Sequence, residues 1–310
     1  MATFSYYATA VAVAAGVLGH LNPVDLIARG KFVRAIQTLD GEGSATVCLP
    51  AATDAERVSQ LGELPGVVAA LEAGGARSLV LDFDYGEVPA ATFAATALPI
   101  AVGWLGAPST LPANVQIGER NTVDQGPAAV VVGVPIDAAT PPLAAVALAQ
   151  HRGSPGAVYQ GGQLHIGDQA WPARGDTHVF MPYLIPFFDW DKRPTWSGVA
   201  GRTVFIGACR LDRDLTRFGR QPGVVAHGEM FETLRDGADP IDPSAATDGF
   251  LALVTTGLAA ASRRWHVRAG PALVGAAVVL LVAWAQLNGI WLGLSGVVVG
   301  AGIQALRRGA

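Results

Sequence analysis

Charge is what this sequence has least of. Only 15% of its 310 residues are Asp, Glu, Lys or Arg, against roughly 25% in an average soluble domain. The deficit sits at the ends: none of the four occurs from Met1 to Val24 or from Ala269 to Leu306, and the middle is ordinary. Cations are too few for nucleic acid. With a net charge of −4 and no Lys/Arg stripe, that class of partner is excluded. Cysteine is almost missing, and Cys48 and Cys209 are too few and too far apart for a zinc site. They allow one disulfide in an oxidising compartment; the plainer reading, which the sequence alone favours, is two separate buried thiols acting as small apolar residues. Serine nucleophile elbows, Walker loops, HExxH helices, fixed-period repeats and low-complexity linkers are also absent. No catalytic residue, metal or cofactor is expected, and the chain is not read as an enzyme.

What is present at the ends is apolar length. A bilayer core about 30 Å thick needs roughly 20 apolar helical residues, and Phe4 to Leu21 comes close, with His20 as its one strongly polar residue. No cation precedes the run, so a retained span is expected rather than a cleaved signal peptide. Gly270 to Leu287 and Ile290 to Leu306 are separated by Asn288-Gly289, a tight-turn pair, and read as a transmembrane hairpin. Gly296 and Gly300 form a GxxxG, a spacing that lets helices approach closely, although glycine is common throughout this composition. Ala245 to Ser262, about 18 residues or about 27 Å, is the marginal span. Four crossings place Arg263, Arg264, Arg268, Arg307 and Arg308 on the cytoplasmic side, against Arg29, Lys31 and Arg34 outside. The middle of the chain then lies outside the cytoplasm.

That middle reads as one α/β domain. Asp54 to Leu71 has helical spacing interrupted at Pro65 and stops at Gly74-Gly75. Strands are expected at Ser78 to Phe83, Pro99 to Leu105, Ala128 to Val134 and Thr203 to Ile206, with helices at Val88 to Leu98 and Pro141 to Gln150. Such alternation implies a largely parallel sheet covered on both faces. From Gly156 to Trp190, rich in Gly, Pro and aromatics, antiparallel strands and turns are expected.

Some residues invite a chemical reading. Asp82 and Asp84, two apart, share one face of a strand, where paired carboxylates bind a metal or divide acid and base roles; a solvated acidic turn is the plainer account. His227 lies on an apolar helical stripe with Val224, Phe231 and Leu234, which suits a core histidine bonded to Asp212 or Asp214, or a pH-responsive or ligand-binding group. His151, His165, His178 and the aromatics Trp171, Tyr183, Phe187, Phe188 and Trp190 have no spacing that gathers them into a pocket.

The segment from Gly201 carries Phe205-Ile206-Gly207-Ala208, then Asp212 and Asp214, then Pro222-Gly223-Val224, His227 and the helical MFETL from Met230. With the earlier LVLDFDY (Leu79 to Tyr85), LHIGDQAWPA and VFMPYL, this resembles the CHASE2 family, extracytoplasmic sensor domains of bacterial membrane receptors. The resemblance covers roughly Val33 to Asp236. It implies one membrane span before the domain and commonly three after it. Two departures stand out: RFGRQ (Arg217 to Gln221) replaces a Thr-Pro pair, and no kinase, cyclase or phosphodiesterase module follows.

The expected organisation is a membrane helix and juncture over 1–28, a CHASE2-like α/β domain over 29–244 and three membrane helices over 245–310. The expected protein is a multi-pass subunit of the bacterial inner membrane with its main domain outside. It senses through that domain and signals through a partner chain, with Arg263, Arg264, Arg268, Arg307 and Arg308 as contact candidates. The alternative is a structural, assembly or effector component of a membrane complex that senses no small molecule. Either reading admits a homo-oligomer, with Gly296 and Gly300 available for helix packing.

Overall fold

The computed structural model describes residues 9–15, 43–120, 123–125, 130–135, 140–161, 163–172, 177–179, 185–190, 196, 198–211, 213–216, 219–237, 245–264, 270–287, 292 and 295–306. Its strands in chain order are β1 (Ser44–Leu49), β2 (Ser78–Asp84), β3 (Ile100–Gly103), β4 (Val115–Gly118), β5 (Val123–Gln125), β6 (Val130–Pro135), β7 (Ala157–Gln160), β8 (Gln163–Ile166), β9 (Gln169–Pro172), β10 (Thr177–Val179), β11 (Phe187–Asp189), β12 (Thr203–Ala208), β13 (Arg213–Thr216) and β14 (Gly219–Pro222). The helices are α1 (Asp54–Leu61), α2 (Leu64–Ala73), α3 (Ala90–Ala94), α4 (Leu143–Arg152), α5 (Gly223–Arg235), α6 (Ala245–Arg264), α7 (Gly270–Leu287) and α8 (Ser295–Leu306).

The α/β architecture holds. Six strands form a sheet in the order β11-β1-β12-β2-β3-β4, every neighbouring pair parallel. Val47, Leu79, Leu81, Val204 and Ile206 pack beneath α1 and α2 on one face. On the other face Val80 and Phe205 pack with α4 and α5. Central parallel strands buried on both faces read as continuous apolar runs, and β2 and β12 do so. Thr53 caps α1 by accepting the Glu56 N–H, and Pro65 falls in the first turn of α2, so the expected interruption is a boundary between two helices.

Several expectations are corrected. Val88 to Leu98 holds only the five-residue α3, preceded by a 3₁₀ turn at Tyr85–Glu87. β6 is not in the main sheet; it pairs antiparallel with β5 and β10 and parallel with β13. The segment from Gly156 does contain the antiparallel β7-β8-β9 sheet, but it ends in β11, a parallel edge strand of the main sheet. Strands β1 and β4 were not expected.

Cys48 and Cys209 form a disulfide, with Cα atoms 5.3 Å apart. This overturns the preference for two separate thiols. Pairing in register sets Cys48 opposite Gly207, so Cys209, just beyond the end of β12, lies within reach.

The carboxyl-terminal helices also depart from expectation. Among the described residues no helix is long and apolar enough to cross a membrane. α6 has 20 residues but contains Asp248, Arg263 and Arg264, so those arginines continue the helix instead of forming a loop. At 18 residues α7 is about 27 Å long, and at 12 residues α8 is about 18 Å, against a core of about 30 Å. Of the expected Ile290 to Leu306, residues 290, 291, 293 and 294 lie outside the described residues, and α8 is described as Ser295–Leu306. Of Phe4 to Leu21 only residues 9–15 are described, as a helix; Arg268, Arg307 and Arg308 lie outside the described residues. Gly300 is buried where α6, α8 and the 9–15 helix meet, and a Cβ there would collide with Thr256 and lie 3.2 Å from Ala12. The buried Gly296 precedes it by one turn of α8. The close approach that GxxxG permits is thus used, at Gly300, within this chain.

Candidate functional site

Alternation along β2 turns Asp82 and Asp84 toward the α4/α5 face, at the carboxyl ends of the central strands. The connection leaving β12 goes to α5 and that leaving β2 goes to α3, on opposite faces, and an open parallel sheet forms its crevice where connections diverge in this way. Asp82 is 3% exposed. Its Oδ1 accepts a hydrogen bond from Arg120 Nε at 2.9 Å, and Arg120 Nη1 lies 3.3 Å from Asp84 Oδ2. One guanidinium therefore spans both carboxylates.

His227 reaches the same place from α5. Its Nε2 stands 3.6 Å from Asp82 Oδ1, too long for a good hydrogen bond and close enough for an ion pair when the ring is protonated. Among the described residues Asp82 Oδ2 and His227 Nδ1 are buried without a hydrogen-bond partner. Leaving such groups unpaired costs about 1–3 kcal/mol each.

Two glycines make this meeting possible. A Cβ on Gly207 would lie 2.7 Å from Val224 Cβ and 3.2 Å from Asp82 Cβ, so a side chain there would push the start of α5 away. A Cβ on Gly103 would collide with Arg120 Cδ and lie 2.7 Å from Phe83 O. The IG strand end thus serves as a docking point for a helix.

Every residue of α5 from Gly223 to Leu234 is buried, including His227, Glu229 and Glu232. Gln221 Nε2 donates to Glu229 Oε2 at 2.7 Å. Glu232 Oε1 accepts the Ser44 N–H, and its Oε2 lies 2.8 Å from Arg235 Nε. Burial pushes the Glu232 carboxyl above its ordinary range, and the Ser44 hydrogen bonds and Arg235 offset this only in part. At the amino end of the same sheet face, His151 Nδ1 and Thr203 Oγ1 are 2.8 Å apart, and Thr203 Oγ1 and Ser78 Oγ are also 2.8 Å apart.

Of the residues singled out in the sequence, Asp82, Asp84 and His227 come together. Asp214 lies on β13 opposite Gln221, and Asp212 is outside the described residues. His227 faces Asp82. The aromatics disperse: Trp171 joins the α4/α5 core, Trp190 and Phe188 join the opposite core, and Phe187 is exposed. His151 is buried against Thr203, His165 lies on β8, and Tyr183 is outside the described residues.

Arg120 was missed, since a lone arginine past a four-residue strand leaves no spacing signal. The arrangement offers charge pairing and a buried imidazole. Among the described residues no group of three or more His, Cys, Asp or Glu can hold a metal ion. A groove of about 430 Å³ lies at the opposite, amino edge of the sheet, away from these carboxylates. No family model matches the chain, and no curated protein or solved structure resembles it at a significant level.

Proposed function

We propose that the chain is a membrane-anchored, extracytoplasmic, CHASE2-like sensory subunit of the bacterial inner membrane that relays its signal through a separate partner. The observation that carries this reading is the Cys48–Cys209 disulfide, since such bonds persist in oxidising compartments. The outer face of α6, α7 and α8 supports it. Phe250, Leu273, Leu280 and Trp284 are 60 to 70% exposed there, an apolar surface of the kind that marks membrane or protein contact. Helices shorter than the hydrocarbon core are accommodated by local thinning of the bilayer.

The route of the signal follows from chain order. α5 carries His227 into the Asp82–Arg120 crevice and is the last element before α6. In this reading the signal travels from α5 along the chain to α6. The cytoplasmic contacts in this reading are Arg263, Arg264, Arg268, Arg307 and Arg308.

The second reading, an assembly or effector component without sensing, is favoured by an apolar groove of about 240 Å³ between α7 and α8, lined by Gly275, Ala276, Ala301 and Gly302. Reporter fusions on either side of the α/β domain test the topology, and co-purification from native membranes tests the role. A stoichiometric signalling partner supports sensing, and a large homo-oligomer supports assembly. A domain facing the cytosol, or a chain that stays dissolved without detergent, defeats both.

A further inference from the structure

We propose that Asp82 exchanges partners with pH: on taking up a proton His227 captures this carboxylate, and Arg120 passes from it to Asp84. The inference rests on the sensory reading of this crevice, for which it names the stimulus as acidification on the side that the α/β domain faces.

One oxygen serves two cations. Asp82 Oδ1 holds Arg120 Nε at 2.9 Å and faces His227 Nε2 at 3.6 Å. Asp82 Oδ2 and His227 Nδ1 are buried without a hydrogen-bond partner among the described residues, so the carboxylate has an acceptor to spare. Protonation makes both ring nitrogens donors, and a charge-assisted hydrogen bond is shorter and about twice as strong as a neutral one. Charge balance favours the same change. Asp82 and Asp84 share a single guanidinium, and the one negative charge left over is cancelled by an imidazolium. Arg120 has a place to go, since its Nη1 already stands 3.3 Å from Asp84 Oδ2. The Arg120 and Asp84 side chains are 25% and 27% exposed, against 2% for Asp82 and 3% for His227, so it is the hydrated pair that adjusts. Gly207 leaves room for the ring to close, because a Cβ there would stand 3.2 Å from Asp82 Cβ and 2.7 Å from Val224 Cβ on α5.

The remaining charges around α5 have their own places. β12 carries no ionisable side chain, and the cysteine of β1 is held in the disulfide. α4 brings His151 and Arg152 at the amino end of the sheet, where His151 pairs with Thr203 and Arg152 donates to Gln169 and the Arg235 carbonyl. β13 and β14 bring Arg213, Asp214 and Arg220. Past the strand ends, Glu119 accepts the Trp104 indole N–H and Arg210 is exposed. On α5 itself, Gln221 holds Glu229, and Glu232 pairs with Arg235.

NMR of the detergent-solubilised full chain, labelled in its arginine and histidine side chains, reads the exchange between about pH 8 and pH 5, where imidazole ordinarily changes charge. Arg120→Lys and His227→Gln identify the two signals. The Arg120 Nε–H resonance is expected to move in step with the His227 ring and to lose that movement in His227→Gln. If His227→Gln does not fold, the parent chain decides alone, through whether the two midpoints coincide. The proposal is overturned by an Arg120 resonance that stays still over this range, by separate midpoints for the two groups, or by an unchanged movement in His227→Gln. Failure of the sensory reading shows differently: a coupled titration in a chain that has no signalling partner keeps the exchange and removes its role, whereas a missing titration leaves topology and partner untouched.

Discussion

Arg120 and Asp82 are 38 residues apart in the chain and 2.9 Å apart in the fold. The pairing ties the end of β4 to the end of β2 across β3, and it neutralises a carboxylate that the sheet has removed from water. Breaking a buried pair from one side costs about 3–5 kcal/mol, because the remaining charge is stranded. Arg120 is only partly buried, so Arg120→Met should fall at the lower end of that range. Thermal melting should show a clear loss for Arg120→Met and a partial recovery in Arg120→Met/Asp82→Asn. A double variant no better than the single one would show that the pair is not coupled.

Gly207→Ala should destabilise the domain by about 1–3 kcal/mol through overpacking, because the added Cβ meets Val224 at 2.7 Å. Shortening the neighbour should relieve it. A melting series of Gly207→Ala, Val224→Ala and the double variant checks this, and the double variant should lose less than the sum of the singles.

Reduction of the disulfide should lower stability markedly. It closes a loop of 161 residues, for which the chain-entropy relation gives about 5 kcal/mol, with about 2–4 kcal/mol more typical of measured cases. Melting with and without a reductant, alongside Cys48→Ala/Cys209→Ala, measures it. Equal curves would remove the bond from the list of stabilising features.

Glu232 sets a pH dependence whose sign is opposite to that of most carboxylates. Its folded pKa lies above the ordinary value of 4.5, so the folded state holds the proton more tightly than the unfolded state. The associated stabilisation is full below about pH 4.5 and is lost as pH rises through the folded pKa. Glu232→Gln should therefore flatten the stability profile above about pH 4.5. A variant profile parallel to that of the parent would show that Glu232 does not titrate in this window.

Local pattern made part of this molecule legible. The period of two along β2 placed Asp82 and Asp84 on one face, and the helical stripe through Val224, His227 and Phe231 marked one buried side of α5. What escaped depends on distant pairing. The burial of Glu229 and Glu232 on the remaining sides of α5 follows from its being covered all round, which no single-helix periodicity encodes. The bond between Cys48 and Cys209 rests on β1 and β12 lying side by side in register. Arg120 became visible only once β4 was placed beside β3. At the carboxyl-terminal end, apolar composition marked the three helices, but their lengths and the continuation of α6 through Arg264 depend on where each helix stops.

The order β11-β1-β12-β2 has a consequence for biosynthesis. β1 leaves the ribosome early, yet both of its sheet neighbours belong to the last part of the domain. Until β11 and then β12 have emerged, β1 has neither of its strand partners and the growing polypeptide exposes an unpaired apolar ribbon. Long-range parallel pairing of this kind is slow and prone to aggregation. The sheet's first strand thus waits for the last part of the α/β domain before both of its edges are covered.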